Sequence, residues 1–204
     1  MKFLAIDIGN VICNVSFEAF INKLSKTINV STDDVNYFLN RTQKLHDIGL
    51  TVISDELRDH FKIKSSALID ELMVEWNKTV STNTYMVSVL RELIHEDNVK
   101  IALLSNIGLE HAAIMPELLT KDVHDPAVKF FSCHVGSRKP SHLYYKTFLD
   151  MYPEFKGCLY LDDRPENIAT GANFGLNVRH FALDSFKSEI EISVGVNFLR
   201  KRFK

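Results

Sequence analysis

Cys158-Leu159-Tyr160-Leu161-Asp162-Asp163-Arg164-Pro165 is the stretch whose reading decides the fold. Cys158–Leu161 is a continuous apolar run, too short for a helix and apolar on both faces, so it reads as a strand buried between two layers. Two acids end the run, and Pro165 follows where a helix can open. The same succession recurs along the chain. Lys2–Ile6 is an apolar run ended by Asp7-Ile8-Gly9-Asn10. Val99–Leu104 is another, ended by Ser105 and Asn106, and Lys129–Val135 is a third, leading through Gly136-Ser137-Arg138 to Lys139 and Pro140. Leu176–Phe181 supplies a fifth strand. Between these runs lie segments of helical spacing: about 85–95, with Val87, Leu90 and Ile94 on one face, then Leu109–Leu119, Pro140 to about Met151, and Pro165 to about Gly175. Such alternation predicts an α/β fold built on a doubly wound parallel sheet with right-handed crossovers. Ligands of these sheets bind beyond the carboxyl ends of the strands.

One block breaks the alternation. Phe17, Phe20, Ile21, Leu24 and Ile28 recur at helical spacing, as do Val35, Phe38, Leu39 and Leu45. Ser54 stands where it can cap a further helix, and Ile69, Leu72, Met73 and Trp76 mark a fourth. From about Ser16 to about Val80 the pattern is helical, with no strand. The pentapeptide Arg200-Lys201-Arg202-Phe203-Lys204 reads as a short solvated basic tail.

Composition narrows the classes. The 204 residues are 46% hydrophobic and 25% charged, enough apolar surface to exclude a mostly disordered chain. A near balance of 24 basic and 26 acidic side chains calls for neither nucleic acid nor a membrane surface as partner. No apolar stretch reaches the ~18 residues of a membrane span. Three cysteines without a CxxC pair, and an N-terminal apolar run cut short by Asp7, fit a reducing, cytoplasmic setting.

The predicted sheet gathers Asp7, Asp162, Asp163, Ser105, Asn106 and Lys139 on one rim. These groups suit phosphoryl transfer through an aspartyl-phosphate. A carboxylate approaching a phosphate dianion meets charge repulsion. Mg²⁺, a hard cation that prefers oxygen, offsets it by bridging Asp7, the phosphate and a second acid such as Asp163. Lys139 adds positive charge. The Ser105 hydroxyl and the Asn106 backbone N–H suit equatorial phosphate oxygens. Gly9, without a Cβ, leaves its carbonyl open to close approach by the metal.

Asp7-Ile8-Gly9-Asn10-Val11-Ile12, Leu104-Ser105-Asn106, Arg138-Lys139-Pro140 and Leu161-Asp162-Asp163-Arg164-Pro165-Glu166-Asn167 resemble the four motifs of the haloacid dehalogenase-like superfamily. The resemblance covers roughly 1–15 and 97–182. It implies a Rossmann-like core, here 1–15 and 81–204, with 16–80 as a small inserted helical cap. It implies Asp7 as nucleophile, Asp7, the Gly9 carbonyl and Asp163 as Mg²⁺ ligands, and Asp162 as a ligand directly or through water. Asn167 stands where many members carry a further Asp. The Asp-x-Gly-Asn-Val form is most similar to the branch containing glucose-1-phosphate phosphatase and the N-terminal phosphatase-like domain of epoxide hydrolases. In that branch His46-Asp47-Ile48-Gly49 resembles a cap segment facing the site, so His46 and Asp47, with Asn10, are expected to contact substrate. A helix C-terminus stopped by Gly49 explains His46 and Asp47 equally well. The implied ligand is a small phosphorylated metabolite, a sugar phosphate favoured, bound by a monomer or homodimer.

One departure bears on rate. Most phosphatases of the family carry an Asp two residues after the nucleophile, which protonates the leaving oxygen. Here Gly9 occupies that position, and nearby Asn14 cannot donate as a carboxylic acid does. The expectation is a slow phosphatase, or one that prefers good leaving groups, with Asp47 or His46 as substitute acids. Three rivals remain. One is a catalytically inactive binding protein of the same fold. Another is a 2-haloacid dehalogenase, for which the paired acids would be idle. The third is an actin-like kinase, whose two domains are long for this chain.

Overall fold

Five of the apolar runs pair side by side in the computed structural model, which describes residues 2–203. In chain order the elements are β1 (Lys2–Ile6), β2 (Cys13–Val15), α1 (Glu18–Ile28), α2 (Thr32–Asp47), α3 (Ile53–Phe61), α4 (Ser66–Asn77), β3 (Val80–Thr82), α5 (Thr84–His95), β4 (Val99–Ser105), α6 (Leu109–Leu118), α7 (Lys121–His124), β5 (Val128–Phe131), α8 (Ser132–Val135), α9 (His142–Met151), β6 (Leu159–Asp162), α10 (Pro165–Asn173), β7 (Asn177–His180) and α11 (Glu189–Phe203). The sheet order is β5-β4-β1-β6-β7, and every pairing in it is parallel. This is the doubly wound α/β arrangement.

Strand residues alternate between two buried faces. Leu4, Ile6, Ile101, Leu103, Leu159 and Leu161 enter a core closed by α5, α6 and α11. Ala5, Ala102, Leu104, Phe130 and Tyr160 enter the opposite core, closed chiefly by α9. On that side Gly171 of α10 lets the helix sit on Tyr160, since a Cβ there would lie 2.8 Å from the ring. The strand order reverses between β1 and β6. In such sheets the ligand crevice lies at that switch point, beyond the strand ends. Asp7 and Asp162-Asp163 stand there.

The four helices α1–α4 bury a separate core that includes Phe20, Leu24, Val35, Phe38, Leu57, Ile69, Leu72 and Trp76. Ser31 opens α2 with a capping box. Its hydroxyl accepts from Asp34 N at 3.0 Å, and the Asp34 carboxylate accepts from the Ser31 backbone N–H at 3.3 Å. The cap of α3 is not Ser54. Val52 occupies that position, and Ile53 N donates instead to Glu110 Oε1 at 2.6 Å, a carboxylate from α6 of the core.

Four sequence expectations need correction. The helical block is bracketed by two short strands, β2 and β3, which pair antiparallel with Val15 opposite Val80. Three-residue strands are too short to show a period. The third apolar run stops pairing at Phe131, because its partner β4 ends at Ser105 directly opposite. Ser132–Val135 therefore coils into α8, closed by Gly136 at φ +66°. Pro140 does not open a helix. Ser141 caps α9 one residue later, accepting from Leu143 N. The basic tail is docked up to Phe203: α11 buries Ile192, Val196, Leu199 and Phe203 along one stripe, and Arg200 meets Glu92 at 2.7 Å. Lys204 lies outside the described residues.

Candidate active site

Asp7 leaves β1 with its backbone N–H held by Leu161 O at 2.9 Å, so the two central strands fix where its carboxyl emerges. The chain then turns sharply. Ile12 N and Cys13 N both donate to Ile8 O at 2.9 Å, and Asn10 takes a left-handed φ of +53°. Ile8 N donates to Asp7 Oδ1 at 2.7 Å. Both ends of the Asn10 amide are engaged. Nδ2 reaches Asp163 Oδ2 at 3.4 Å, and Oδ1 accepts from Asp184 N at 3.2 Å. Asn10, expected to contact substrate, thus ties Asp163 to the segment after β7.

Lys139 is the hub of the rim. Its buried ammonium lies 3.0 Å from Asp7 Oδ1, 2.7 Å from Asp162 Oδ2 and 2.6 Å from Leu104 O, which uses all three of its donors. The Asn106 amide grips the Lys139 backbone from both sides: Lys139 N donates to Oδ1 at 2.8 Å and Nδ2 donates to Lys139 O at 2.9 Å. The Asn106 side chain is therefore a positioning group. Asp162 is more committed still. Oδ1 accepts from Arg164 N at 2.9 Å and Asn167 Nδ2 at 2.8 Å, and Oδ2 accepts from Lys139 and the Tyr160 hydroxyl. Ser105, at the buried end of β4, faces the same cavity as Asp7, Gly9 and Asp163. All six residues expected on the rim come together there.

The electrostatics follow from burial and crowding. Burial pushes the Asp7 carboxyl up to about 7. Lys139 pulls it down, while Asp162 and Asp163 push it further up. Burial and then Asp162 raise Asp163 as well. Burial works against an ionised Asp162, yet Lys139 holds it below the usual carboxylate range. Burial also works against the Lys139 charge, but Asp162 and Asp7 outweigh it and hold the ammonium above its ordinary value. Carboxylate oxygens of Asp7, Asp162 and Asp163 lie within 4.8 Å of one another, with a single ammonium among them. A donor set of hard oxygens short of positive charge fits a divalent cation such as Mg²⁺. Asp7 and Asp163 have oxygens to spare for one, whereas Asp162 is saturated by hydrogen bonds.

The cap closes a cavity of about 320 Å³ over this rim. Both His46 and Asp47 line it, and both are occupied. His46 Nε2 lies 2.9 Å from Glu110, and Asp47 Oδ2 lies 3.1 Å from Arg138. The Asp47 carbonyl accepts from Ser132 Oγ, which in turn accepts from Ile107 N at 2.9 Å. The His46 ring lies against Gly108, where a Cβ would come within 2.0 Å of it. Burial pulls the His46 pKa down, but Asp47 and Glu110 outweigh it and raise it to about 9. The end of α2 is thus a polar latch between cap and core. Asn14 is exposed on β2 and does not line the cavity. Among the described residues, the acids lining it are Asp7, Asp47 and Asp163, none of them both free and placed at the usual acid position.

Several site residues escape a reading of the sequence. Glu110, His111, Arg138 and Trp76 line or brace the cavity, and their importance comes from partners distant in the chain. His111 stacks on Trp76 at 4.8 Å and shares the Trp76 carbonyl with Thr79. Asn36, Asn40 and Gln43 line the α2 wall, whereas the exposed Arg41 and Lys44 do not. The spacing of those three amides beside the apolar stripe Val35, Phe38 was the available signal.

No protein-family model and no curated protein matches the sequence. Solved structures match the fold. A HAD family enzyme from Bacteroides thetaiotaomicron superposes with a TM-score of 0.78 at 19% identity, over 93% of this chain and 98% of that one. The same enzyme has been crystallised in complex with magnesium and inorganic phosphate, and that form gives a TM-score of 0.73. A predicted HAD-like family hydrolase from Porphyromonas gingivalis gives 0.74 at 18% identity over 98% of both chains. An L-2-haloacid dehalogenase from Xanthobacter autotrophicus with chloropropionic acid covalently bound gives 0.61 at 12% identity, over 97% of this chain and 83% of that one. The chain has the haloacid dehalogenase-like fold.

Proposed function

We propose that the protein is a magnesium-dependent phosphoric monoester hydrolase of the haloacid dehalogenase-like superfamily, acting on a small phosphorylated metabolite. The observation that carries this reading is the placement of Asp7 and Asp163 at the sheet's switch point, with the Lys139 ammonium 3.0 Å from Asp7. The Bacteroides enzyme of the same fold, crystallised with magnesium and phosphate, supports the same pair of ligands here. A 2-haloacid dehalogenase needs no metal, and an acid in the position of Asp163 would then be idle.

In the proposed reaction an oxygen of Asp7 attacks phosphorus. An O–P bond forms, the ester O–P bond breaks, and the leaving oxygen departs as an alkoxide that takes its proton from solvent water. Water then hydrolyses the aspartyl-phosphate, releasing inorganic phosphate and restoring Asp7. Lys139 favours the ionised form of Asp7 and presents positive charge to the phosphoryl oxygens. Asp162 and Asn106 hold Lys139 in place, from its head group and its backbone respectively. The Ser105 hydroxyl donates to a phosphoryl oxygen. Asp7, Asp163 and the Gly9 carbonyl would hold Mg²⁺, which supplies charge against the repulsion between carboxylate and phosphate. With Gly9 two residues after Asp7, no carboxylic acid occupies the usual general-acid position, so activated esters react faster than alkyl esters.

The test is turnover of p-nitrophenyl phosphate by purified protein. The expected result is Mg²⁺-dependent hydrolysis that EDTA and Asp7→Asn each abolish, with one phosphoryl group trapped on the Asp7 peptide after quenching. Hydrolysis that survives Asp7→Asn overturns the mechanism. Absence of hydrolysis across a broad phosphate panel assigns the chain to the inactive binding proteins. Metal-free chloride release from a 2-haloacid assigns it to the dehalogenases.

A further inference from the structure

Arg138 stands one residue before Lys139. The Asn106 amide clamps the Lys139 backbone from both sides, so the place of Arg138 is fixed with it. The two side chains then part. Lys139 reaches Asp7, whereas Arg138 reaches the end of α2 in the cap, with Nη2 3.1 Å from Asp47 Oδ2. Both Arg138 and Asp47 line the cavity. Their contact is one of charge without a hydrogen bond. Among the described residues neither Asp47 Oδ2 nor Arg138 Nε has a hydrogen-bond partner, although both atoms are shut off from solvent. Native proteins rarely leave such atoms unpaired, and at a ligand site the ligand can supply the missing partner.

The other cations on the cavity are spent differently. Lys139 uses its three donors on Asp7, Asp162 and Leu104 O. His46 Nε2 lies 2.9 Å from Glu110. Arg164 is half exposed at the rim, 3.5 Å from Glu166. The Arg138 side chain is only 21% exposed, and it shares its carboxylate. His46 Nδ1 lies 3.8 Å from Asp47 Oδ1, and although burial opposes the imidazolium, Asp47 and Glu110 keep it charged at neutral pH. One carboxylate, Asp47, therefore faces two cations, and Arg138 keeps donors unspent. The planar guanidinium fork matches the paired oxygens of a carboxylate or a phosphate. Its position suits the far end of a substrate. In an in-line displacement the leaving oxygen points away from Asp7, toward the cap wall that Arg138 reaches.

We infer that Arg138 binds a second anionic group, a carboxylate or a further phosphate carried by the leaving group, so that the substrate is a phosphorylated acid or a bisphosphate rather than the monophosphate of a neutral alcohol. The inference rests on the phosphatase reading and names the substrate class of that site.

Matched pairs test it. 3-Phosphoglycerate is compared with glycerol 3-phosphate, and fructose 1,6-bisphosphate with fructose 6-phosphate. The pair with the larger preference tells a carboxylate from a phosphate. Charge-assisted hydrogen bonds are worth about 10- to 100-fold, and the anionic member of at least one pair is expected to gain that much in kcat/KM. Arg138→Met is expected to lower kcat/KM for that member about 10- to 100-fold more than for its neutral counterpart, chiefly through KM. Arg138→Lys keeps the charge without the fork and is expected to restore only part of the difference. Asp47→Asn keeps the shape of the side chain and releases Arg138 from its counter-charge, so it is expected to widen the preference for the anionic member. A pair that only braced the cap would lose activity on all four substrates alike. Equal losses within both pairs, or a native preference for the neutral members, overturn the inference, and so does a preference that Asp47→Asn leaves unmoved. A calorimetric arm separates this result from failure of the phosphatase reading. The same four compounds are titrated into the Asp7→Asn protein with Mg²⁺. The second anionic group is expected to add about 10-fold or more in affinity, which Arg138→Met in the same background removes. Equal affinity within both pairs overturns the inference whether or not the native protein turns over.

Discussion

Installing an acid at Gly9 tests what limits the chemistry. The backbone there accepts a side chain. Its φ is outside the left-handed region, and an added Cβ would meet only Val15 Cγ2, at 3.4 Å, an ordinary contact distance. Gly9 and Val15 both line the cavity, so Gly9→Asp places a carboxyl in it without displacing backbone. The neighbourhood also suits an acid. Asp7 and Asp163 are already raised by burial and by their acidic neighbours, and a further carboxyl beside them is held protonated by the same forces. General acid catalysis is worth ~10²–10⁴-fold, or about 3–5 kcal/mol of barrier. Added repulsion against Asp7 and Asp163 takes back part of that, so the expected gain in kcat is about 10- to 10³-fold for an alkyl ester such as glycerol 2-phosphate. It is much smaller for p-nitrophenyl phosphate, whose leaving group hardly needs a proton. Gly9→Asn supplies the shape without the proton and is expected to give no gain. Equal alkyl-ester rates for the Asp and Asn variants, both folded and both binding Mg²⁺, would refute the reasoning.

Two further expectations concern the latch between cap and core. The His46 pKa rises from 6.5 to about 9 on folding, so its stabilising contribution is complete below about pH 6.5 and is lost as pH rises through about 9. Urea unfolding of wild type should show stability lower by about 3 kcal/mol at pH 10 than at pH 6 from this group, and His46→Gln should lack that component. Gly108→Ala drives a methyl to within 2.0 Å of the His46 ring, and Glu110 restrains the ring from moving away. A loss of about 1–3 kcal/mol in thermal or urea unfolding is expected, with faster proteolysis in residues 16–79.

Strand ends and parallel sheets explain what could be read from the chain alone. A strand buried on both faces is a bare apolar run, and its C-terminal neighbour necessarily lies on the ligand rim. Order along the chain thus translated directly into Asp7, Ser105, Asn106, Lys139, Asp162 and Asp163 side by side. Element boundaries depend on partners, and a sequence does not display them. Val135 continues an apolar run, but Ser105 ends the strand it would have paired with. The stripe Ile192, Val196, Leu199 and Phe203 has helical spacing, but Arg200, Lys201 and Arg202 interrupt it with charge, so its C-terminal end has the composition of a solvated tail. The same limit governed roles. Nothing local in Asn106 says that its amide will grip the Lys139 backbone, and nothing local in Asp47 points to Arg138. The first pair exists only once β4 and β5 have brought their loops together, and the second only once the end of α2 has packed over them.

The pairing of β2 with β3 has a modular consequence. Val15 and Val80 are cross-strand partners, so the chain leaves the sheet domain and returns to it about 5 Å apart. Everything from 16 to 79 enters and leaves through one two-stranded stem, and the latch at His46 and Asp47 holds its far end to the core. A graft that keeps the stem and exchanges the branch leaves the register of the sheet and the Asp7–Lys139–Asp162 cluster untouched. Under the proposed phosphatase reading, the residues that break the bond and those that meet the leaving group can then change separately.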